Sequence, residues 1–410
     1  MTQTNGLAAY ITVTAAYWAF MLTDGALRML VLLHFHTLGF SPVQLAYLFL
    51  LYEFMGIVTN LSAGWIAARF GLTITLYVGL AIQVAALVAL SQLDPAWSVA
   101  ASVVFVMSVQ GLSGVAKDLS KMSAKSAVKV LAPKEGGGLF RWVAILTGSK
   151  NAVKGFGFLL GAGLLAIAGF QTAVWAMAAV LTLILIGTMI FMPSGLPEGK
   201  RSAKFSQVFS SDPNINRLSL ARMFLFGARD VWFVVGIPIY FYSVLSDGTH
   251  DGNRAAFFMI GTVLALWIIL YGLVQGFAPQ ILRAKNKDTA EVVRSAILWV
   301  GMLTLIPLAL SAAVWVNAPG LTAIVVAGLL LFGFVFAINS SVHSYLILAF
   351  TSEERVTMDV GFYYMSNAAG RLLGTLLSGV SYQVGGLTLC LFTAALMALA
   401  STLAALRLRQ

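Results

Sequence analysis

The residues of this chain that could do chemistry are mostly cations set among apolar residues. Residues 110–130 read QGLSGVAKDLSKMSAKSAVKV and follow the uninterrupted apolar run AWSVAASVVFVMSV. Lys117, Lys121, Lys125 and Lys129 recur at every fourth position, a spacing that stacks side chains along one stripe of an α-helix. Lys150 and Lys154 repeat the interval, with Asn151 beside them, and Arg371 stands four residues after Asn367. Arg28 follows Asp24 by one turn, and Arg222, Arg229 and Asp230 share one apolar segment. Glu53 and Asp118 are the other acids inside apolar runs, and Asn339, Ser340, Ser341 and His343 form a polar patch. Ammonium and guanidinium groups bind oxyanions, whereas carboxylates in such surroundings carry protons or neutralise a neighbouring cation.

Other chemistries find little to work with. The single cysteine, Cys390, rules out an internal disulfide framework and a multi-thiolate metal site. The four histidines, His34, His36, His250 and His343, are too scattered for a metal cluster. No nucleophile, paired acids or cofactor motif stands out, so a polytopic membrane enzyme is unsupported and neither metal nor cofactor is expected.

The elements that must position these residues are membrane spans. The chain of 410 residues is 60% hydrophobic and only 10% charged, against about 25% charged in a soluble domain. The first apolar segment, about 7–33, is longer than a secretory signal core and contains Asp24 and Arg28, so it is expected to persist as the first span. About 20 helical residues cross the hydrocarbon core, and twelve such windows fit between polar or Gly/Pro breaks: 8–33, 42–68, 72–92, 96–125, 138–168, 171–192, 215–244, 254–280, 290–313, 320–348, 356–382 and 385–406.

Alternate turns differ in charge. HFHTLGFSP, QLDPAW, AGFQ, SDGTHDGN, VNAPG and QVGG contain no Lys or Arg, whereas the intervening turns hold Arg69, Lys125, Lys129, Lys134, Lys200, Arg201, Lys204, Arg283, Lys285, Lys287 and Arg355. The positive-inside rule then predicts both termini in the cytoplasm. Much of the net charge of +10 is topological, and it does not imply nucleic acid.

The longest polar interval, 193–214, follows the sixth window and predicts an N-terminal six-helix bundle over 1–192, a cytoplasmic linker over 193–214 and a C-terminal bundle over 215–410. The halves echo each other. GWIAARFG (64–71) corresponds to GFAPQILRAKNKD (276–288), DGALR (24–28) to GARD (227–230), and KGFGFLLGAG (154–163) to RLLGTLLSGV (371–380). The last pairing superposes Lys154 on Arg371 and Gly157 on Gly374. Parallel six-helix repeats with a site near the midplane are a transporter architecture.

On these features the chain resembles the major facilitator superfamily over its whole length, with GWIAARFG a shortened form of that family's turn after span two. The resemblance implies an all-α integral membrane fold of twelve spans in two six-helix bundles related by a pseudo-two-fold axis. More narrowly, LTDGALRMLVLLHFHTLGFSPVQLAYLFLLYEFMGIVTNLSAGW and QGLSGVAKDLSKMSAKSAVK resemble the organoarsenical efflux permeases of that superfamily. That resemblance implies a plasma-membrane exporter of 1-arseno-3-phosphoglycerate conferring arsenate resistance, functionally linked to glyceraldehyde-3-phosphate dehydrogenase, which makes the ester.

Read from the residues alone, the substrate is a small polyanion. Lys154 and Arg371 fall near mid-depth, one per half, and suit its two ends. Arg28, Lys117, Lys121, Lys150, Asn151, Arg222, Arg229, Asn339, His343 and Asn367 are the further binding candidates. Asp24, Glu53, Asp118 and Asp230 are candidates for coupling or gating. Several alternatives stay open. Lys117 and Lys121 either line a vestibule that concentrates anions or are ordinary positive-inside residues. Asp24 and Arg28 either neutralise each other or serve binding, and Asp118 is expected to pair with a cation on a neighbouring helix. Arg229 and Asp230 point about 100° apart, so they cannot face each other on one helix and at least one needs a partner elsewhere. An organophosphate or carboxylate exchanger and a proton-coupled drug exporter are the alternative transporters, although the excess of intramembrane cations disfavours a cationic drug.

Overall fold

The computed structural model describes residues 3–131, 138–192, 209–282, 288–351 and 356–408. Lys134, the interval 193–208 with its cations, Arg283, Lys285, Lys287, Arg355 and Arg409 lie outside the described residues, as do the side chains of Lys125 and Lys129.

Long apolar runs fold as helices because a hydrocarbon surrounding offers no partner for an unpaired backbone N–H or C=O. The helices are α1 (Gln3–Thr37), α2 (Pro42–Phe70), α3 (Leu72–Leu90), α4 (Val99–Leu131), α5 (Gly138–Phe191), α6 (Pro213–Val231), α7 (Ile237–Leu245), α8 (His250–Ile281), α9 (Thr289–Trp315), α10 (Leu321–Phe350) and α11 (Val356–Ala405). Their ends follow local chemistry. Asp212 caps α6 by accepting from the amides of Asn214 and Ile215, with Pro213 in the first turn. Asp288 and Glu291 close a reciprocal capping box at the start of α9.

Among the described residues, ten helices are long and apolar enough to cross a membrane, which makes this a multi-pass membrane protein. Two of the ten candidate spans, Ser149–Phe191 and Asp359–Ala405, are 43 and 47 residues long, about twice what one crossing needs. Each contains a break in helical geometry, at Gly169 (φ 75°) in α5 and at Gly385 and Gly386 in α11. Both breaks fall at the AGFQ and QVGG turns expected from sequence, where glycine tolerates a backbone that other residues avoid.

One feature of the seventh apolar segment was not legible. Between α6 and α7, Trp232–Gly236 form a π-helical turn. The amides of Val235 and Gly236 donate to Ser378 Oγ at 3.1 and 3.2 Å, and the Cys390 thiol donates to the Val231 carbonyl. Side chains of α11 thereby satisfy backbone groups that the widened turn leaves over.

Two compact units divide the chain. The first comprises Met1–His34, Val58–Ser206 and Leu245–Ile268; the second comprises Phe35–Ile57, Gln207–Val244 and Ile269–Gln410. Within the first, α5 crosses α1 at glycine: a methyl group at Gly157 would stand 3.1 Å from Gly25 Cα and closer still to the Leu22 carbonyl oxygen. Within the second, α11 crosses α6 in the same manner. A methyl at Gly374 would lie 2.7 Å from the Gly227 carbonyl oxygen, and one at Gly370 would collide with the Met223 backbone. The glycines of these segments therefore permit close helix approach, as small residues do in membranes generally.

Candidate functional site

Each glycine crossing buries an acid beside a cation. In the first unit, Lys154 lies three residues before Gly157, and its Nζ is 3.4 Å from Asp24 Oδ2. Asp24 is 4% exposed, and the ammonium sits 5.9 Å from the Phe158 ring centre. In the second unit, Arg371 lies three residues before Gly374 and reaches two acids. Its Nη2 donates to Glu53 Oε1 at 2.6 Å and its Nε to Asp230 Oδ2 at 3.3 Å. The other carboxylate oxygen of Asp230 accepts from Arg229, at 2.6 Å from Nε and 2.5 Å from Nη2. Glu53 and Asp230 are almost fully buried.

This arrangement corrects the expectation that Arg229 and Asp230 cannot meet. Their Cα–Cβ bonds diverge, but the long arginine chain folds back and brings its fork onto the adjacent carboxylate. Asp230 does also find the expected partner on another helix, Arg371.

Arg222 has a different environment. Its Nε donates to Asn367 Oδ1 at 3.1 Å, and its Nη1 to the Ser340 carbonyl and Ser340 Oγ, both at 3.0 Å. The guanidinium carbon lies 4.1 Å from the Phe226 ring centre and 5.0 Å from that of Tyr363, distances at which a ring face attracts a cation. Among the described residues no carboxylate pairs with it, although it is only 4% exposed. Asn367, expected beside Arg371, is thus committed to Arg222.

On α10, Phe332, Phe336, Asn339 and His343 follow one helical stripe, and Phe336 meets Phe226 of α6 at 5.1 Å between ring centres. Asn339 and His343 are fully buried, and neither amide atom of the one nor ring nitrogen of the other has a hydrogen-bond partner. Leaving such groups unmatched costs about 1–3 kcal/mol each. Gln275 of α8, not singled out in the sequence, donates to Ser340 Oγ at 3.2 Å. A lone glutamine inside an apolar span was the only available signal for it.

The lysine stripe resolves in part. Lys121 Nζ lies 2.5 Å from Asp118 Oδ1 and donates to Asn60 Oδ1 at 2.7 Å. Asp118 also accepts from Thr59 Oγ1 at 2.8 Å and Asn60 Nδ2 at 3.2 Å. The cation of Asp118 is therefore on its own helix, and the neighbouring helix supplies a hydroxyl and an amide instead. Their geometry favours this arrangement, because residues three apart share a face. Thr59 and Asn60 were not anticipated. Arg28 and Lys117 are buried, and Lys150 and Asn151 half-buried. At the end of α1, His34 stacks on Phe170 at 4.1 Å and His36 meets Tyr242 edge-on at 4.8 Å.

Comparison with solved structures identifies the fold. A POT family transporter in complex with a thioalcohol-conjugated peptide is similar at TM-score 0.73 and 13% identity, covering 96% of this chain and 94% of that one. A second structure, described in terms of substrate recognition in proton-dependent oligopeptide transporters, is similar at TM-score 0.70 and 13% identity, with 98% of each chain covered. The chain thus shares the fold of these two structures over nearly its whole length. No family model matches the chain, and no curated protein matches it either. The narrower resemblance to organoarsenical permeases gains no support from these comparisons.

Proposed function

We propose that this protein is a secondary transporter that moves a small organic anion across the membrane by alternating access. The observation that carries the reading is the repeated crossing, Asp24–Lys154 at Gly25 and Gly157, and Asp230–Arg371 at Gly227 and Gly374. Buried charges are costly in a membrane and mark transport pathways and relays. Here two of the cations already have carboxylate partners, so an incoming anion competes with Asp24, or with Glu53 and Asp230, for the same donors. Protonation of those acids would release the cations.

The glycine breaks in α5 and α11 support twelve crossings in two six-helix halves, 1–192 and 215–410, joined through 193–214. With cytoplasmic termini and residence in the plasma membrane, the cation-rich turns would then face inward. Export of a polyanion is favoured by a negative-inside potential, by about 2.3 kcal/mol per charge per 100 mV.

For the substrate we infer 1-arseno-3-phosphoglycerate, on the sequence resemblance and on the two cation-bearing crossings. Transport by reconstituted protein or everted vesicles tests this, comparing the arseno ester with 3-phosphoglycerate, phosphate, arsenate and a dipeptide. Saturable flux with counterflow is expected for the ester, with none for arsenate. Arsenate resistance in cells should require glyceraldehyde-3-phosphate dehydrogenase and survive Cys390→Ser, because pentavalent arsenic presents oxygens and needs no thiolate. A second reading, peptide transport, is favoured by the fold likeness to peptide transporters. Dipeptide flux in place of ester flux would select it, and no flux of any of these solutes would sink the transporter reading.

A further inference from the structure

The acids and cations of the second unit do not all neutralise one another. Glu53 and Asp230 are matched by Arg229 and Arg371 in one connected network. Arg222 stands apart. It is held only by neutral acceptors and aromatic faces, and among the described residues it has no carboxylate partner. Its Nη2 amino group makes no hydrogen bond within the described residues, because Nε and Nη1 account for all of its bonds.

Side chains on the turn of α10 that it binds carry the same signature. His343 lies within electrostatic reach of the guanidinium, and Ser340, one residue after Asn339 and three before His343, accepts two of the arginine's hydrogen bonds. Asn339 and His343 are fully exposed to neither water nor partner, their polar atoms being buried and unbonded. A neutral imidazole offers one N–H and an asparagine amide offers two. Unused donors of Arg222 on α6 thus meet a turn of α10, bound to it through Ser340, that carries the unbonded polar atoms of Asn339 and His343. An oxyanion supplies what all of them lack, a negative charge and several acceptor lone pairs, and a planar guanidinium edge matches its geometry.

We propose that Arg222, Asn339 and His343 form the subsite that takes the oxyanion head of the transported solute. The inference rests on the anion-transport reading above and deepens it. The carboxylate-paired cations Lys154 and Arg371 then act in exchange and gating, while Arg222 holds the charge of the cargo. Its guanidinium is kept available by Asn367, Ser340 and the two rings, which orient it without neutralising it.

Binding to the purified full chain in detergent tests this, with 3-phosphoglycerate as the first probe and calorimetry and thermal shift as readouts. Glycerol 3-phosphate and glycerate separate a phosphoryl head from a carboxylate head, and glycerol is the neutral control. Arg222→Met should weaken 3-phosphoglycerate binding by about 100-fold, the size of a lost charge-assisted contact. That variant also breaks three hydrogen bonds, so Asn339→Leu is the decisive companion. Asn339→Leu breaks no side-chain hydrogen bond of the unliganded protein, so its melting temperature without ligand should equal or exceed that of wild type, while anion affinity falls about tenfold. Wild-type affinity in both variants would overturn the subsite and leave the transport reading intact, provided that wild type binds and exchanges the probe. Failure of wild type to bind any of these anions would overturn the subsite, whereas the transport reading falls only if the arseno ester is not exchanged either.

Discussion

Both glycine crossings pair an acid on one helix with a cation three residues before the crossing glycine of the other, yet they are closed to different degrees. In the first unit a lysine faces Asp24 at 3.4 Å. In the second, an arginine fork is tied to Asp230 and Glu53, and Arg229 is tied to the same Asp230. Part of the difference is register: Asp24 precedes its crossing glycine by one residue, whereas Asp230 follows Gly227 by three. Part is side-chain chemistry, because guanidinium can bond two carboxylates in fixed directions whereas ammonium is a mobile point charge. The second crossing is thus held by directional guanidinium bonds, and the first by an ammonium at longer range.

The largest expected effect tests the second crossing. Asp230→Asn leaves two half-buried guanidiniums short of a counter-charge and should destabilise the solubilised protein by about 3–5 kcal/mol. Chemical unfolding measures it, and a wild-type midpoint would remove the distinction between the crossings. Arg371→Gln should also be unstable, since it removes the guanidinium that Glu53 and one oxygen of Asp230 share.

Next come the glycines themselves. Gly157→Ala and Gly374→Ala each force a methyl group against the backbone of the crossing helix, and each should cost about 1–3 kcal/mol. Similar losses at the two positions would sharpen the view that the crossings match in packing and differ only in charge. A loss at one position alone would show that the repeat is not structural.

Lys154→Gln isolates the looser pair. Stability should fall, because Asp24 stays buried without this cation, while solute flux through the reconstituted protein is abolished. Full flux in a properly inserted variant would remove Lys154 from the transport pathway.

The smallest effect concerns the lysine stripe. Lys117→Gln and Lys121→Gln should weaken apparent anion affinity a few-fold, with Lys121 less affected because it is already bound to Asp118 and Asn60. The loss should shrink in high salt if the lysines act as exposed charges. Equal effects that are insensitive to salt would return both residues to a purely topological role.

Much of this protein is written in its linear order. The apolar runs, the glycine-marked breaks at 169 and 385–386 and the correspondence of Lys154 with Arg371 could all be read from spacing, because span length and helical period are local properties. So could the identity of most charged candidates, since any ion in an apolar run must have a role or a partner. Partner choice was not legible. Glu53 meets an arginine 318 positions away, and Asn367 serves Arg222 rather than its close neighbour Arg371. Periodicity gives the face of a helix but not the helix it meets, nor how far a flexible side chain bends back, as Arg229 does towards Asp230. The π-helical turn at Trp232–Gly236 is decided the same way, because its spare amides are satisfied by Ser378, 143 residues distant from Val235. Sequence alone therefore determined which charges stand within apolar runs and where glycine breaks the long helices. Only tertiary structure decided which of those charges are neutralised, because that depends on distances between helices that no local pattern encodes.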